Sequence, residues 1–475
     1  PQVAALPADP TTALPPHPTE VPRKSSETTT PGHQECLARI AEIVGESNLI
    51  LDRDLVAGYS VDWTRRFSGP ASAVVRPGSV AEVASVLAAC SAAGLPVIPQ
   101  GGNTSMVGGS VPAPSGVPPL ILSTLRLRRL EPVDDLAGAV TVGAGVTLAE
   151  LADHVRHAGW IYGVDLAARD TATIGGTCAT NAGGIRVCAY GMTRDQVIGA
   201  EFVRADGAII SRLDGLPKDN TGYHLTGLLV GSEGTLGVIT AVRLRLHRPV
   251  GTTTVGLVGV PDMAAALDLV ESAVPAGERL LAAEIIDAEG IRLVHEVAGL
   301  QPPVEQEWPY LLLLEVSGDW LELPADSDAV VAMDTATAAR LWEYRERQPD
   351  AISALGVAHK LDISVPLPRL DQVATAARSC APGDARVVVF GHLRDGNLHV
   401  EIAGVPAGDT ELDRAIFAIT AEAGGVLSAE HGVGRAKAQW LHLSRSEAEI
   451  DTMREIKRAM DPAGVLNPGA LLPLS

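Results

Sequence analysis

The chain has 475 residues, a formal net charge of −20 at pH 7 and 46% hydrophobic residues. This length exceeds what one ordinary hydrophobic core accommodates, so we expect two domains, or one large domain with a cap. The negative charge disfavours nucleic acid as a partner, and no apolar run approaches the roughly 20 residues of a membrane helix, so no membrane span is expected.

The N-terminal residues and the cysteines bear on the cellular compartment. Residues 1 to 33 are rich in Pro, Thr and Ser and lack the basic start and apolar core of a secretion signal, so we interpret them as a flexible leader. Because the first residue is Pro1 rather than Met, a targeting segment ahead of it stays open. The cysteines form no C-x-x-C pair, which indicates neither a disulfide framework nor a cysteine zinc site; they are Cys36, Cys90, Cys178, Cys188 and Cys380. A reducing, cytoplasmic location is therefore expected.

The first half of the chain begins with helical and βαβ patterns. Residues 36 to 44 have helical apolar spacing, and residues 79 to 93 form an amphipathic pattern with Ser79 as N-cap and Glu82 at the capping-box position. Apolar segments at 73–76 and 95–99 flank this helix, which predicts a βαβ unit. Short β segments separated by glycine follow at 120–122, 139–142, 209–210 and 236–246. We assign residues 34 to 250 to one domain.

Near residue 250 the pattern starts again. Strands are predicted at 253–258, 280–286, 310–316 and 385–390, and helices at 263–272, 329–347 and 410–423. This order predicts an α+β domain over residues 251 to 460, with residues 461 to 475 as a C-terminal segment.

Glycine-rich segments in the first domain lie at 99–109 (PQGGNTSMVGG), 172–184 (ATIGGTCATNAGG) and 231–240 (GSEGTLGVIT). Glycine lets backbone N–H groups approach an anion, and Asn, Ser and Thr add neutral donors, so such loops suit a pyrophosphate. None is followed by G-K-[ST], and none reads G-x-G-x-x-G between a strand and a helix, which disfavours a P-loop and a nicotinamide Rossmann site. Tight turns in a β-rich domain are the alternative interpretation.

Histidines cluster in two segments of the second domain. His392 and His399 lie in GHLRDGNLHV (391–400), and Glu430 and His431 lie in SAEHGVG (428–434). If one strand ends at Phe390 and another begins near Leu398, the turn between them brings the two imidazoles together at one sheet edge. Two His and one carboxylate suit Zn²⁺ or Mn²⁺.

The order and wording of these motifs resemble a known superfamily. The glycine loops, with VVRPGS (74–79), VGAGVTLAEL (142–151), NTGYHLTGLLVGSEGTLGVIT (220–240) and DPAGVLNPG (461–469), resemble the FAD-binding domain of the vanillyl-alcohol oxidase and p-cresol methylhydroxylase family. LWEYRE (341–346), GHLRDGNLHV and SAEHGVGR (428–435) resemble the C-terminal domain of the D-2-hydroxyacid dehydrogenases. The resemblance spans roughly residues 34 to 470. It implies an FAD-binding domain of the p-cresol methylhydroxylase type, then a C-terminal α+β cap with an antiparallel sheet, with residues 461 to 475 returning to the first domain.

The resemblance also implies the cofactor and the residues that bind it. FAD would be held by the glycine loops, and the stretch Gly-Asn-Thr-Ser-Met at 102–106 offers no His or Cys for a covalent link, so non-covalent FAD is expected. The implied cofactor-binding residues are Pro99, Gly101, Gly102, Asn103, Thr104, Ser105, Gly109, Ile174, Gly175, Gly176, Thr180, Asn181, Gly184, Glu233, Gly234, Gly237, Ile239 and Asn467.

The family's catalytic roles carry over to the second domain. His392, His399 and Glu430 would hold a divalent metal, Zn or Mn, and His431 would be the general base. Removal of a hydride from Cα requires the hydroxyl proton to leave, and a metal together with an imidazole that titrates near neutral pH makes that feasible. Arg345 and Lys360 fall on the family's carboxylate-binding positions, where an Arg fork would fix a 2-hydroxy acid.

The sequence departs from its relatives near this site. Relatives commonly read Gly-His-x-Gly-Asp-Gly-Asn-Leu-His, often with Asn two residues later in the hydroxyglutarate group; here Arg394 replaces that Gly, Glu401 replaces that Asn, and Pro349 stands where a hydroxyl is frequent. Arg394 and Glu401 are therefore predicted to contact the substrate. Glu401 would oppose a second substrate carboxylate unless Arg394 neutralises it. This disfavours D-2-hydroxyglutarate and favours a neutral, hydroxylated or cationic distal group.

The leading hypothesis is FAD-dependent, metal-assisted oxidation of a D-2-hydroxy acid to a 2-oxo acid by hydride transfer to flavin N5. The alternatives are a flavin oxidase of another alcohol or amine that uses O₂, a metallohydrolase whose glycine loops are only turns, and a flavin-binding protein without redox turnover. The expected partners are a small-molecule substrate and an electron acceptor, which is an electron-transfer protein, a quinone or O₂. A homodimer is kept open.

Overall fold

The computed structural model describes residues 31–216 and 218–473. Of the predicted leader, residues 1–30 lie outside the described residues. The last three leader residues form the first turn of a helix over Pro31–Val44, which begins five residues earlier than the apolar pattern indicates.

The first half alternates short strands and helices. Its strands are β1 (Leu49–Ile50), β2 (Ala73–Val75), β3 (Val97–Gln100), β4 (Leu120–Ser123), β5 (Ala139–Gly143), β6 (Val197–Val203), β7 (Ile209–Arg212) and β8 (Val238–Arg245). Its helices are α1 (Pro31–Val44), α2 (Arg53–Tyr59), α3 (Val80–Ala93), α4 (Leu148–His157), α5 (Ile174–Thr180), α6 (Val187–Tyr190), α7 (Thr193–Gln196) and α8 (Leu225–Leu229).

These strands form two sheets in the described part of the chain. One has the order β1-β2-β4-β3, in which β4 runs parallel to both β2 and β3, and α3 makes the crossover of the predicted βαβ unit. The other is antiparallel, with the order β5-β8-β6-β7. Ser79 caps α3 by accepting from the Glu82 N–H, while the Glu82 carboxylate accepts from Gly78 N–H at 2.7 Å instead of from the N-cap itself. The predicted capping interaction is thus present, but the Glu82 carboxylate binds the N–H of the residue before the N-cap.

The second half is built on a larger sheet. Its strands are β9 (Thr253–Val260), β10 (Leu280–Asp287), β11 (Tyr310–Ser317), β12 (Ala329–Val331), β13 (His359–Ser364), β14 (Arg386–His392) and β15 (Asn397–Ala403). Its helices are α9 (Met263–Ala273), α10 (Ala288–Ala298), α11 (Thr335–Glu346), α12 (Gln348–Ser353), α13 (Leu370–Cys380), α14 (Thr410–Glu422) and α15 (Glu447–Met460).

The order of this sheet, among the described residues, is β12-β9-β11-β10-β14-β15-β13, with every neighbouring pair antiparallel. Separate apolar clusters cover its two faces: one contains Leu312 and Val400, and the other contains Leu313 and Phe390. Alternate residues of each strand therefore enter different cores, as the pleat of a strand requires. The fold is α+β, as expected.

The predicted helix at 329–347 is wrong in its first six residues. Residues 329 to 331 form β12, which pairs with β9 at the sheet edge, with Val330 opposite Leu257. The helix starts only after Asp334, whose carboxylate accepts from the N–H groups of Ala336 and Thr337 at 2.9 Å each. A good N-cap decides where the helix begins, and the valines before it gain more from the sheet.

The C-terminal segment returns to the first half. The Val97 N–H donates to Val465 O, and the Asn467 N–H donates to Val97 O, each at 2.8 Å, so this segment lies alongside β3. In the ranges that the structure describes, no helix combines the length and the apolar character that a bilayer crossing needs.

Candidate active site

A cavity of about 740 Å³ lies between the two halves of the chain. Its walls combine the glycine loops of the first half with strand ends and α11 of the second half. The predicted histidine cluster and the predicted cofactor loops therefore open into one space.

Most predicted cofactor residues line this cavity. They are Pro99, Gly101, Gly102, Asn103, Thr104, Ser105, Gly109, Gly175, Gly176, Thr180, Gly184, Glu233, Gly234, Gly237 and Ile239. The remaining three predicted residues, Ile174, Asn181 and Asn467, are not on its wall. Sequence reasoning also missed Trp63 of the wall, which lies on a segment without any glycine-loop pattern.

The residues off the wall support the loops instead of contacting the cavity. The Asn467 side-chain amide donates to Gly109 O and Glu233 O at 2.8 Å each, which ties two loops together. Asn181 ends α5 in the left-handed region at φ 51°, and its side-chain oxygen accepts from Arg194 N–H at 2.8 Å. Ile174 is fully buried in the apolar core of the first half.

The first glycine loop has the character of an anion-binding loop. Among hydrogen bonds between described residues, none has the backbone N–H of Gly102, Asn103, Thr104 or Ser105 as donor. These residues line the cavity, and Asn103 among them has a left-handed φ of 54°, a conformation found in anion-binding turns of successive N–H groups. The Asn103 side chain is occupied: its amide donates to Val61 O, and its oxygen accepts from Ser110 Oγ. The residues present thus fit the pyrophosphate of a dinucleotide, which the backbone rather than the Asn103 side chain would bind.

Glu233 lines the cavity but its carboxylate holds the other half of the chain. The two carboxylate oxygens accept from the backbone N–H groups of Val433 and Gly434 at 2.7 Å each. Burial raises the pKa of this carboxyl, and the two backbone donors oppose that rise. Glu233 therefore fixes the segment that carries His431 against the first half.

Cross-strand register assembles the histidine cluster. In the sheet order β10-β14-β15-β13, His392 lies opposite Glu284 on β10, and His399 lies opposite Asp362 on β13. Residues that face each other across an antiparallel pair have adjacent side chains. The Nε2 atoms of His392 and His399 lie 3.6 and 3.5 Å from Glu430 Oε1. The Nε2 atom of His431 lies 3.7 Å from the same oxygen, so the imidazoles converge on one carboxylate.

Two buried carboxylates behind the histidines were missed by the sequence analysis. Glu284 Oε1 accepts from His392 Nδ1 at 2.5 Å. Asp362 Oδ2 accepts from the N–H groups of Ala429, Glu430 and His431 at 3.1, 2.9 and 2.9 Å. Both carboxylates are fully buried. Glu284 interrupts the apolar run of β10, which was the available sequence signal, because a buried acid needs a partner. Asp362 lies in HKLDIS, where no such apolar run marks it.

Burial and the charges within the cluster shift the pKa values of its residues. Burial alone would lower the pKa of His392, but the carboxylates of Glu284 and Glu430 outweigh burial and raise it to about 10. Burial would raise the pKa of Glu430, but the histidines, His392 above all, lower it to about 2. Burial holds the pKa of His399 well below its usual range. A metal ion would displace the proton of His392, because a ligating imidazole must be neutral.

The donor atoms fit a divalent metal ion. Two ligands that each lie about 2.1 Å from a tetrahedral metal are about 3.4 Å apart, close to the observed separations from Glu430 Oε1 to the imidazoles. Ligand atoms of Asp362, His399, Glu430 and His431 also lie within 4.8 Å of one another. Asp362 is nevertheless placed as a supporting residue, because its oxygens already accept three backbone hydrogen bonds. His392, His399 and Glu430 remain the predicted ligands.

The predicted substrate-binding residues divide into two groups. Arg345 and Glu401 line the cavity, as does Pro349. Arg345 Nε donates to Glu284 Oε2 at 2.5 Å, and its guanidinium lies over the Phe390 ring. Lys360 is buried behind Glu401 and forms an ion pair with it.

The prediction that Arg394 contacts the substrate is wrong, and the neutralisation of Glu401 by Arg394, which the sequence left open, does not occur. Arg394 is not on the cavity wall, its side chain is 42% exposed, and it pairs with Glu271 of α9 at 2.8 Å. The reason is the turn geometry: Leu393–Asp395 forms a single 3-10 turn, in which buried Leu393 faces the core and Arg394 faces solvent. Lys360, opposite Glu401 in the β13–β15 register, supplies the compensating charge.

Comparisons with known proteins agree with this architecture. Residues 71–212 match the family model described as FAD binding domain, and residues 251–471 match that described as FAD linked oxidases, C-terminal domain. The chain is 38% identical over 460 residues to a mitochondrial D-2-hydroxyglutarate dehydrogenase from Bos taurus, covering 93% of this chain and 84% of that protein. It is 35% identical over 439 residues to a D-2-hydroxyglutarate dehydrogenase from Xanthomonas citri pv. viticola, covering 87% and 92%.

A solved structure shows the same fold. The 4-ethylphenol oxidase from Gulosibacter chungangensis superimposes with a TM-score of 0.73 at 16% identity, covering 94% of this chain and 98% of that one. Membership of this family favours an oxidoreductase over the metallohydrolase alternative and supports FAD as the cofactor. The chain belongs to the FAD-linked oxidases of the vanillyl-alcohol oxidase superfamily, in the D-2-hydroxyacid dehydrogenase group, and is an FAD-dependent oxidoreductase acting on CH–OH donors.

Proposed function

We propose that this protein oxidises a D-2-hydroxy acid to the corresponding 2-oxo acid, with non-covalent FAD and a divalent metal, Zn or Mn. The observation that carries the proposal is the convergence of His392, His399 and His431 on Glu430 in the same cavity as the glycine loops. Two relatives that match over most of this chain are named D-2-hydroxyglutarate dehydrogenases, which supports the same reaction class here.

The two cofactors would supply the chemistry that side chains lack. FAD, when bound, supplies a two-electron acceptor for the hydride from Cα at N5. The metal, when bound by His392, His399 and Glu430, supplies a Lewis acid that lowers the pKa of a hydroxyl.

His431 is proposed as the base that takes the hydroxyl proton at Nε2. Its Nδ1 is buried without a hydrogen-bond partner among the described residues and lies 3.8 Å from Asp362 Oδ2. The charge of that carboxylate would stabilise the imidazolium once the proton has arrived. The His431 backbone N–H donates to the same carboxylate, which fixes the main chain that carries the ring.

Arg345 is proposed to bind the carboxylate at C1. Its ion pair with Glu284 engages Nε, and a guanidinium carries two further nitrogens with N–H groups. Glu284 also accepts from His392, so one carboxylate positions both Arg345, the proposed partner of the substrate carboxylate, and His392, a proposed metal ligand. This arrangement supports a fixed distance between the carboxylate and the hydroxyl of a 2-hydroxy acid.

The test is an anaerobic visible spectrum of the purified protein before and after D- and L-2-hydroxy acids are added. We expect D-acids to bleach the flavin band, and we expect His431→Ala or a chelator to abolish the bleaching. A flavin band that no hydroxy acid bleaches would overturn the reaction class. The electron acceptor, the oligomeric state and the cytoplasmic location stay predictions.

A further inference from the structure

The cavity offers few free cations for a carboxylate. Among the described residues that line the cavity, the Lys and Arg side chains are those of Arg169, Arg345 and Arg347. Arg169 pairs with Asp165 and Glu346 at 3.1 Å each, and Arg347 pairs with Glu343 at 2.8 Å. Both are partly exposed at the rim and are committed to neighbouring acids. Arg345 is the buried cation of this wall, and its pair with Glu284 engages Nε and leaves two nitrogens for one substrate carboxylate.

Lys360, a cation of the predicted substrate site, is neutralised from within the protein. Its ammonium group pairs with the Glu401 carboxylate, and the two side chains are 5% and 4% exposed. The ammonium group also lies over the Trp63 ring, 5.4 Å from its centre. Trp63 belongs to the first half of the chain and lines the cavity. A buried pair of this kind has little net charge, so it offers a second anion little electrostatic attraction to offset the cost of leaving water.

This pair lies within reach of a substrate held at the histidine cluster. Glu401 follows His399 by two residues on β15, so both side chains point to the same face of the sheet. Two residues of an extended strand span about 7 Å, which is comparable to the length of a short carboxylic acid. The far end of such a substrate would therefore meet Glu401.

We propose, on the basis of the function proposed above, that Glu401 excludes a second carboxylate and that the substrate is a 2-hydroxy monocarboxylic acid with an uncharged distal group. A distal carboxylate would approach the Glu401 carboxylate, and the Lys360 charge that could offset this repulsion is already neutralised by Glu401. A distal cation gains nothing, because Lys360 already satisfies Glu401. An uncharged chain leaves the pair intact and packs against Trp63 and Phe390 of the wall.

The test compares two acids of equal chain length, D-2-hydroxypentanoate and D-2-hydroxyglutarate, which differ in the distal carboxylate. The rate of anaerobic flavin reduction per unit concentration is measured for the wild type and for Glu401→Gln, which keeps the shape of the side chain and frees the Lys360 charge. We expect the wild type to prefer the monocarboxylate by at least about tenfold and the variant to reduce that ratio at least about tenfold. Glu271→Gln is the matched control, because it removes the same charge from the exposed pair with Arg394.

Each outcome separates the inference from the proposed function. A wild type that prefers D-2-hydroxyglutarate, or a Glu401→Gln variant with an unchanged ratio, overturns the inference and leaves the reaction class standing. If neither acid reduces the flavin, the proposed function fails. The inference is then tested by the binding of the corresponding 2-oxo acids to the wild type. It requires that 2-oxopentanoate perturb the flavin absorbance at lower concentration than 2-oxoglutarate. Equal binding, reversed preference or no binding overturns it. If Glu401→Gln loses its flavin, the wild-type ratio alone decides whether the inference stands.

Discussion

Asp362 Oδ2 accepts a hydrogen bond from the His431 backbone N–H at 2.9 Å and lies 3.8 Å from Nδ1 of the same residue. One buried carboxylate thus holds the main chain of the proposed base and places a negative charge beside its ring, beyond hydrogen-bond distance. The Lys437 ammonium group, itself buried, is 3.7 Å from this oxygen and offsets part of its charge. Burial would raise the pKa of Asp362, but His431 and Lys437 lower it below its ordinary value, so it is an anion at neutral pH.

Asp362→Asn should therefore reduce turnover more than flavin binding. The amide has one acceptor oxygen and no charge, so the hydrogen bonds to the 429–431 segment weaken and the negative charge beside the His431 imidazole is lost. We expect metal affinity or kcat to fall about 10- to 100-fold, which is typical of residues that orient metal ligands. Metal content and anaerobic flavin reduction measure the effect, with the exposed Asp319→Asn as the control. Full activity in Asp362→Asn would show that the geometry of His431 does not depend on this carboxylate.

Glu233→Gln should loosen the contact between the two halves. The carboxylate accepts from two backbone donors, whereas an amide presents its own N–H₂ to one of them. A donor that loses its buried partner costs about 1–3 kcal/mol, so the urea midpoint should fall. Because the bonded residues follow His431 by two and three positions, kcat should fall as well while FAD content is kept. An unchanged midpoint together with unchanged kcat would remove Glu233 from this role.

Gly102→Ala should impair flavin binding. A Cβ at this position would lie 1.8 Å from Thr171 O, a backbone atom that cannot move independently, so the loop must shift away from the segment that precedes α5. The N–H groups of residues 102 to 105 would then be displaced from their positions on the cavity wall. We expect the flavin-to-protein absorbance ratio after purification to fall at least about tenfold. Gly383→Ala is the matched control, because a Cβ there meets nothing within 4 Å.

The pairing of Asp413 predicts a dependence of stability on pH. Asp413 on α14 accepts from Arg66 of the first half at 3.1 Å and contacts His359 Nδ1 at 2.6 Å. Burial opposes ionisation, but His359 and Arg66 outweigh it and lower the pKa of this carboxyl. A lowered folded-state pKa means that the stabilisation is present above the ordinary Asp value of about 3.9 and is lost as pH falls through the folded-state value.

Asp413→Asn should accordingly be less stable than the wild type at pH 7, by about 1–3 kcal/mol, because Arg66 and His359 lose a charged partner. The difference in the free energy of unfolding should shrink as the pH is lowered below about 4. Urea denaturation at several pH values measures it. A difference that stays constant down to pH 3 would contradict the assignment of the lowered pKa.

Local patterns in the sequence determined the parts of this protein that depend on neighbours along the chain. The N-cap at Ser79, the glycine loops and the strand-turn-strand that joins His392 to His399 are all local, and the structure has each of them. The order of the motifs was enough to identify the superfamily. In contrast, residues 329–331 form a strand because they pair with β9. Since β9 lies about 70 positions earlier in the chain, the local pattern could not predict this pairing.

Only the tertiary structure decided which groups surround the histidines. Glu284 comes from β10 and Asp362 from β13, and no spacing in the sequence says that these strands flank β14 and β15. The same strand order pairs Lys360 with Glu401, while a single 3-10 turn sends Arg394 to solvent. The physical reason is that strand order and register are set by the burial of apolar faces over the whole sheet, whereas the identity of a residue determines only its local backbone preference and its chemistry.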